Sequence, residues 1–542
     1  MREIPLIRET ASGLTAHNAL HYPNDPAFWF DDITYTWKET EEITDYIAAD
    51  MLQKGIRKEM HIGFWSLNHI HLVFYLIAAM KIGAVPAVIN YSYRTFELQN
   101  VIQKAHIKRL YLGEYKKGSD YKAMAEEVQK ECTDLQEIRH MAEDLQEILQ
   151  KYNGDGKLSG KKAAELEKYK NAVHTDDVVS ITFTSGTTKM PKPVMLTHYN
   201  VINDVRQFAA RMHVNHEQGD VLLAPLPLFH SSGLTGMLFF ALAEGIPAVI
   251  QRMFVAEEAL KAIEKYHVTV LMAVPSMLEM LEGIYDSRHY DLSTLRVGQT
   301  SGAVISPECL CRIVKNLKME QLILAYGQTE CSPIVTTTSY EDELENVAGT
   351  AGKPLPHVEV RIWNLAKDCQ LPPGKTGEIQ VRGFNTMRGY YNSEEENKGK
   401  YTIDGWLKTT DAGFMDEQGY LHFVTRISDI IIRHGENISP AEIESVVEQY
   451  SDDIIKVKVV GVEAKIVQEE IACLIQTTGG RIDPEDIKQY VRKRLASYKV
   501  PKYVFRVDTF PVTETGKIDQ AATKKIAKEL VRLETAGLSE EE

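Results

Sequence analysis

Through the first two-thirds of the chain, short aliphatic and β-branched runs alternate with stretches of helical spacing. Runs at 60–65, 84–89, 108–112, 178–184, 221–225, 248–251 and 268–274 predict strands. Apolar residues repeating every three or four positions predict helices over 35–54, 69–82, 199–212, 255–266 and 275–286. Such alternation predicts α/β layers built on largely parallel sheets. The stretch 120–174 is highly charged and is broken by Asn153-Gly154-Asp155-Gly156, which predicts exposed helices and a surface loop.

From about Val358 the pattern changes to short alternating strands (VEVRIWN, GEIQVRG, GYLHFVT, DIIIRHG) separated by Gly, Asp and Asn turns. These predict a β-rich module packed on the α/β body. After Ser439 the order becomes helix, strand, strand, helix, strand, enough for a small α+β unit that folds by itself. The expected architecture is therefore α/β. A large N-terminal domain of layered sheets with a small β-rich module spans 1–428, and a smaller, mobile α+β domain spans 429–542, with the boundary at Ser428-Asp429.

Composition narrows the class. The chain has 542 residues, 44% hydrophobic and 25% charged, which is ordinary globular usage. Its net charge of −15 argues against a nucleic-acid binder. Six scattered cysteines form no disulfide framework and no C-x-x-C pair, which favours a reducing cytoplasm. The N-terminus lacks a secretory h-region. The most apolar stretch, 71–90, is interrupted by Lys81, Gly83 and Pro86 and predicts a buried helix and strand, not a membrane span.

Candidate chemistry begins at Thr184-Ser185-Gly186-Thr187-Thr188, where a strand runs into clustered hydroxyls followed by Lys192. Backbone N–H groups, hydroxyls and a nearby ammonium suit phosphate oxygens. On these residues alone a Ser/Thr-rich turn between elements is an equal alternative. The loop is not a Walker A motif. Downstream stand Thr300-Ser301-Gly302-Ala303, Tyr326-Gly327-Gln328-Thr329-Glu330, Asp404-Gly405-Trp406-Leu407-Lys408-Thr409-Thr410-Asp411, Thr425-Arg426-Ile427-Ser428-Asp429, His434-Gly435-Glu436, and Pro511-Val512-Thr513-Glu514-Thr515-Gly516-Lys517.

In this order the motifs resemble those of the adenylate-forming superfamily, which comprises acyl-CoA synthetases, peptide-synthetase adenylation domains and firefly-type luciferases. The likeness runs over nearly the whole chain and is closest to fatty acyl-CoA ligases. It implies that Thr184, Ser185, Gly186, Thr187, Thr188 and Lys192 bind ATP phosphates. It places Gly302, Ala303 and Tyr326 against adenine, Asp411 on the ribose hydroxyls, and Arg426 on ribose or phosphate. It gives Thr329 the α-phosphate, Glu330 a Mg²⁺ ion, and Gly435 and Glu436 the tunnel for the pantetheine thiol of CoA. Lys517 would span the substrate carboxylate and the α-phosphate, offsetting two converging negative charges. Four family glycines are replaced, by Lys189, Pro193, Thr410 and Thr425.

Phe229 and His230 fall in the segment that lines the family's acyl pocket. Amino-acid-activating relatives have an Asp at position 230, so an α-amino acid is disfavoured; a core or gating histidine is the alternative. Gly327 stands where acetate-specific relatives carry Trp, which implies room for propionate or longer acids. The resemblance thus implies an ATP- and Mg²⁺-dependent ligase that activates a medium- or long-chain fatty acid as acyl-AMP and passes it to CoA. Loading an acyl or aryl acid onto a carrier protein is one alternative. A nucleotide- or acyl-binding protein without turnover is another.

Overall fold

The computed structural model describes residues 4–115, 117–153, 158, 160–184, 191–302, 305–433, 436–438, 440–464, 468–479, 482–495, 497–513 and 518–535. It packs as two units, Met1–Val360 with Val381–Leu407, and Arg361–Gln380 with Lys408–Glu542.

The first unit holds two large sheets. One has seven strands in the order Gly389–Tyr390, Lys192–Thr197, Val178–Thr184, Val85–Ile89, His61–Trp65, Arg109–Leu112, Glu137–His140. The five from Val178–Thr184 onward are parallel, and the other two close the edge antiparallel. The second sheet has nine strands, parallel through its middle and antiparallel at both ends. Fully buried strands such as Val85–Ile89 read as unbroken apolar runs, the expected signature of a covered parallel sheet. The strand Glu137–His140 lies inside the charged stretch whose pattern predicts only helices and a loop. It is an edge strand with half-exposed residues, so it carries no apolar signal.

Helix starts follow local chemistry. Thr36 and Glu39 form a reciprocal capping box at Trp37–Gln53, and Thr197 and Asn200 do the same at His198–Met212. The helix Ile70–Lys81 is buried on nearly every side. Its Lys81 is 0% exposed, and its ammonium meets Glu41 Oε2 and Asp45 Oδ1, each at 2.6 Å. Lys170 pairs with the same two carboxylates, giving two cations for two anions, as a buried charge requires. No helix among the described residues is long and apolar enough to cross a membrane.

Most of a five-stranded sheet, in the order Cys369–Gln370, Val358–Asn364, Gly377–Gly383, Leu407–Met415, Leu421–Arg426, belongs to the second unit. After it, the antiparallel pair Ile454–Ala464 and Gln468–Thr477 forms the spine of a smaller sheet, joined by Ile431–Arg433 and, in parallel, Tyr503–Arg506. Apolar side chains fill both faces of that spine. Val457, Val459, Ile471 and Cys473 pack with the helices Pro440–Glu448 and Pro484–Arg492. On the other face Val460, Val462, Ala472 and Leu474 meet Ala527 of the helix Gln520–Thr535.

Candidate functional site

Strands Val178–Thr184 and Lys192–Thr197 pair antiparallel with Thr184 opposite Lys192, so the hydroxyl and the ammonium-bearing residue face each other at the mouth of a hairpin. Ser185, Gly186, Thr187, Thr188 and Lys189 lie outside the described residues, as do Ala303, Gly435 and Lys517. Pro193 is not part of that loop. It is buried within the strand opposite Phe183, and its carbonyl accepts from Tyr391 N at 2.8 Å.

Gly302 and Tyr326 leave the carboxyl ends of adjacent parallel strands, Val297–Ser301 and Gln321–Tyr326, whose last paired residues are Ser301 and Ala325. Crevices at the carboxyl ends of parallel strands are the usual ligand sites of α/β sheets. Gly302 has φ +84°, which a glycine adopts without strain. The chain then turns through Thr329–Cys331. Thr329 Oγ1 lies 3.0 Å from Ser231 Oγ, and both residues are buried.

Glu330 is only 8% exposed. Its Oε1 accepts from the Tyr390 hydroxyl at 2.7 Å, and its backbone carbonyl accepts from Met387 N at 2.8 Å. Among the described residues no basic side chain pairs with this carboxylate. Lys192 Nζ instead lies 5.1 Å from the centre of the Tyr390 ring. Burial, with Glu330 beside it, pushes the Tyr390 hydroxyl far above its ordinary pKa, so it remains a donor to that carboxylate. A nearly buried carboxylate without a counter-charge suits a hard cation such as Mg²⁺, which is typically held by one or two carboxylates together with substrate phosphates. Among the described residues no group of three or more His, Cys, Asp or Glu is placed to hold a metal ion by itself. The fit therefore rests on Glu330 and leaves the other ligand positions to phosphate and water.

Gly327 has a reason other than pocket size. A Cβ there would lie 1.8 Å from the Pro333 carbonyl oxygen, so the backbone itself excludes a side chain. The implied room for longer acids therefore does not follow from this glycine alone.

The far end of the turn is tied down by Asp204 and Asn385. Asp204 Oδ2 accepts from Ile334 N at 3.1 Å, and Asn385 Nδ2 donates to Ile334 O at 2.7 Å. Complete burial raises the Asp204 carboxyl well above the usual range, so the folded state holds a proton that the unfolded chain has released. Stability from this group is full below the unfolded pKa of about 4 and is lost as pH rises through the folded value. Asp204→Asn keeps an acceptor for Ile334 N and has nothing to ionise. Its melting temperature is expected to match wild type at or below about pH 4 and to exceed it increasingly as the pH rises above that in thermal melts. Parallel curves would contradict this.

Phe229 packs edge-on against Tyr91, with centroids 5.1 Å apart. His230 caps the turn Ser231–Gly233: its Nδ1 accepts from Ser232 N and lies 2.7 Å from Ser232 Oγ. The histidine predicted at the acyl pocket is thus held as a capping group. The next turn, Leu234–Phe239, is a π-helix, in which Leu234, Met237, Leu238 and Phe239 are all buried. Single π-turns inside helices are frequent at functional sites.

In the second unit, Asp411 and Arg426 are cross-strand partners, with Arg426 Nε 3.8 Å from Asp411 Oδ1. Thr425 is buried in the same ladder opposite Ala412, so its side chain is accommodated as strand core. Glu436 begins the strand Glu436–Ile438, opposite Arg433. Thr410, another glycine replacement, has φ +66°. For a β-branched residue this conformation costs roughly 1–2 kcal/mol. Part of that is offset, because glycine loses more freedom on folding. Thr410→Gly is therefore expected to raise the melting temperature by about 1–3 °C, measured by calorimetry; a lower value would show that the Thr410 hydroxyl contributes more than the strain costs.

The sequence motifs do not include Tyr390, Asn397 or Ser231 among the candidate residues. A Tyr in a short edge strand has no local signal that marks it as part of a phosphate site.

The family model for AMP-binding enzymes matches residues 15–391, and the model for the AMP-binding enzyme C-terminal domain matches 442–517. Similar solved structures include o-succinylbenzoate CoA synthetase (MenE) of Bacillus subtilis in complex with its acyl-adenylate intermediate. It is 25% identical, covers 96% of this chain and 99% of that one, and has a TM-score of 0.79. The anthranilate CoA ligase AuaEII, in complex with anthranoyl-AMP, has a TM-score of 0.82 at 20% identity, covering 98% and 99%. The chain belongs to the AMP-binding, adenylate-forming enzymes. Within them it is a member of the acyl-CoA synthetase family. YngI of Bacillus subtilis (strain 168), provisionally named an acyl-CoA synthetase, is 32% identical over 98% of this chain and 99% of its own length. The mitochondrial medium-chain acyl-CoA ligase ACSF2 of Rattus norvegicus is 28% identical over 97% and 89%.

Proposed function

We propose that this enzyme is an ATP-dependent fatty acid–CoA ligase acting on medium- or long-chain acids. A carboxylate attacks the ATP α-phosphate to give acyl-AMP and pyrophosphate, and the CoA thiol then displaces AMP to give the thioester. The observation that carries the first step is the buried Glu330 carboxylate, which has no basic partner among the described residues and stands beside a hairpin whose mouth holds Thr184 and Lys192. Mg²⁺ held there would neutralise phosphate charge as pyrophosphate departs. Lys192 supplies charge to the outer phosphates, Thr329 a hydroxyl to the α-phosphate, and Asp411 with Arg426 holds the ribose. Lys517 spans the carboxylate and α-phosphate in the first half-reaction. A rotation about Ser428-Asp429 then withdraws it and brings the segment of Gly435 and Glu436 to the site for CoA.

A fatty chain is favoured by the likeness to medium-chain acyl-CoA ligases and by the apolar residues on the turn after His230. An aryl acid is the second reading, favoured by the similarity to MenE, whose substrate is o-succinylbenzoate. The six free cysteines support residence in a reducing compartment, for which we propose the cytoplasm. Pyrophosphate release with ATP·Mg²⁺ and a panel from propionate to palmitate, plus benzoate and o-succinylbenzoate, tests the reading. CoA-stimulated release that peaks among the fatty acids supports it. A peak at an aryl acid gives the second reading. Stimulation by holo-carrier protein and not by CoA would replace the acceptor.

A further inference from the structure

We propose that Tyr390 is a positioning residue for the phosphate end of the site: it aligns Glu330 and keeps the Glu330 carboxylate and the Lys192 ammonium apart until ATP and its cation arrive. This rests on the reading of the site as an ATP-dependent adenylation centre. Tyr390 reaches Glu330 from 60 residues away in the chain. Its phenol donates to Oε1, and among the described residues no other side chain bonds this carboxylate. On its other side the ring lies 5.1 Å from Lys192 Nζ, within cation–π range.

The ring itself is firmly seated. Tyr390 is 3% exposed and pairs with Val194 in the strand edge. Asn397 clamps its backbone from both sides, accepting from Tyr390 N at 2.8 Å and donating to Tyr390 O at 2.8 Å. Opposite charges that meet directly in a site of low dielectric neutralise each other and must be separated before either can serve a substrate. The phenol satisfies Glu330 with a neutral hydrogen bond, and the ring face holds the ammonium with a weaker attraction. Both charges thus stay available.

Calorimetric titration of the full chain with ATP, with and without Mg²⁺, tests the proposal without turnover. Tyr390→Phe keeps the ring and removes the hydroxyl. It is expected to reduce the Mg²⁺-dependent gain in ATP affinity roughly tenfold, with Mg²⁺-free affinity and melting temperature close to wild type. Tyr390→Leu is expected to weaken both affinities, because Lys192 loses its seat. In a Glu330→Gln background, Tyr390→Phe is expected to add almost nothing, since the two act through one carboxylate. Wild-type behaviour of Tyr390→Phe, a full additional loss in the Glu330→Gln background, or equal losses with and without Mg²⁺ at a lowered melting temperature would each overturn the proposal. Wild-type behaviour of Glu330→Gln would instead remove the cation assignment beneath it, and the proposal with it.

Discussion

Lys517→Ala is expected to slow acyl-adenylate formation about a thousandfold while leaving the thioester step nearly untouched. The barrier to the first half-reaction is the approach of one anion to another, and a single ammonium between them removes about 4 kcal/mol of it, which corresponds to three decades in rate. In the second half-reaction a neutral acyl-AMP carbonyl meets a thiol, and that barrier has no such charge to offset. Pyrophosphate release measures the first step, and thioester formation from synthetic acyl-AMP and CoA measures the second. Equal losses in both would refute the division of labour assigned to this lysine.

Glu330→Gln is expected to lower adenylation about a hundredfold and to raise the Mg²⁺ concentration needed for half-maximal rate. The amide keeps the shape and can still accept from Tyr390, so packing should survive and the melting temperature should stay near wild type. What disappears is the negative charge, and with it one hard ligand for the cation. A Mg²⁺ titration of the initial rate separates the two effects. An unchanged titration midpoint with a reduced plateau would mean that Glu330 serves the reaction otherwise than through the metal.

The family, and most of the residues proposed for its site, are legible in the order of residues alone. The series of motifs from Thr184 to Lys517 requires only residue types at fixed spacing, and it leads to the AMP-binding family whose models match the chain. The glycine replacements are visible there too, yet their meanings are not. Pro193 is taken up inside a strand, Thr425 is buried in a ladder, and of these three Thr410 alone bears a left-handed backbone. Those outcomes depend on where each residue falls in sheet register, which the identity of the residue does not state. Glu137–His140 escapes a reading from pattern for the same kind of reason: an edge strand need not alternate, because one of its faces is not buried.

By itself the sequence determined the alternation of strands and helices and the residue types available for phosphate, ribose and carboxylate. These follow from local periodicity and side-chain chemistry. The tertiary structure alone decided that Tyr390, one of 25 tyrosines, stands between Lys192 and Glu330. It also decided that Asp204 is completely buried, which raises its carboxyl well above the usual range, and that Gly327 is a glycine because Pro333 fills its side-chain space. Each of these depends on atoms brought together by sheet pairing and burial across gaps in sequence. Local pattern has no term for such contacts, because dielectric environment and free volume are properties of the packed neighbourhood.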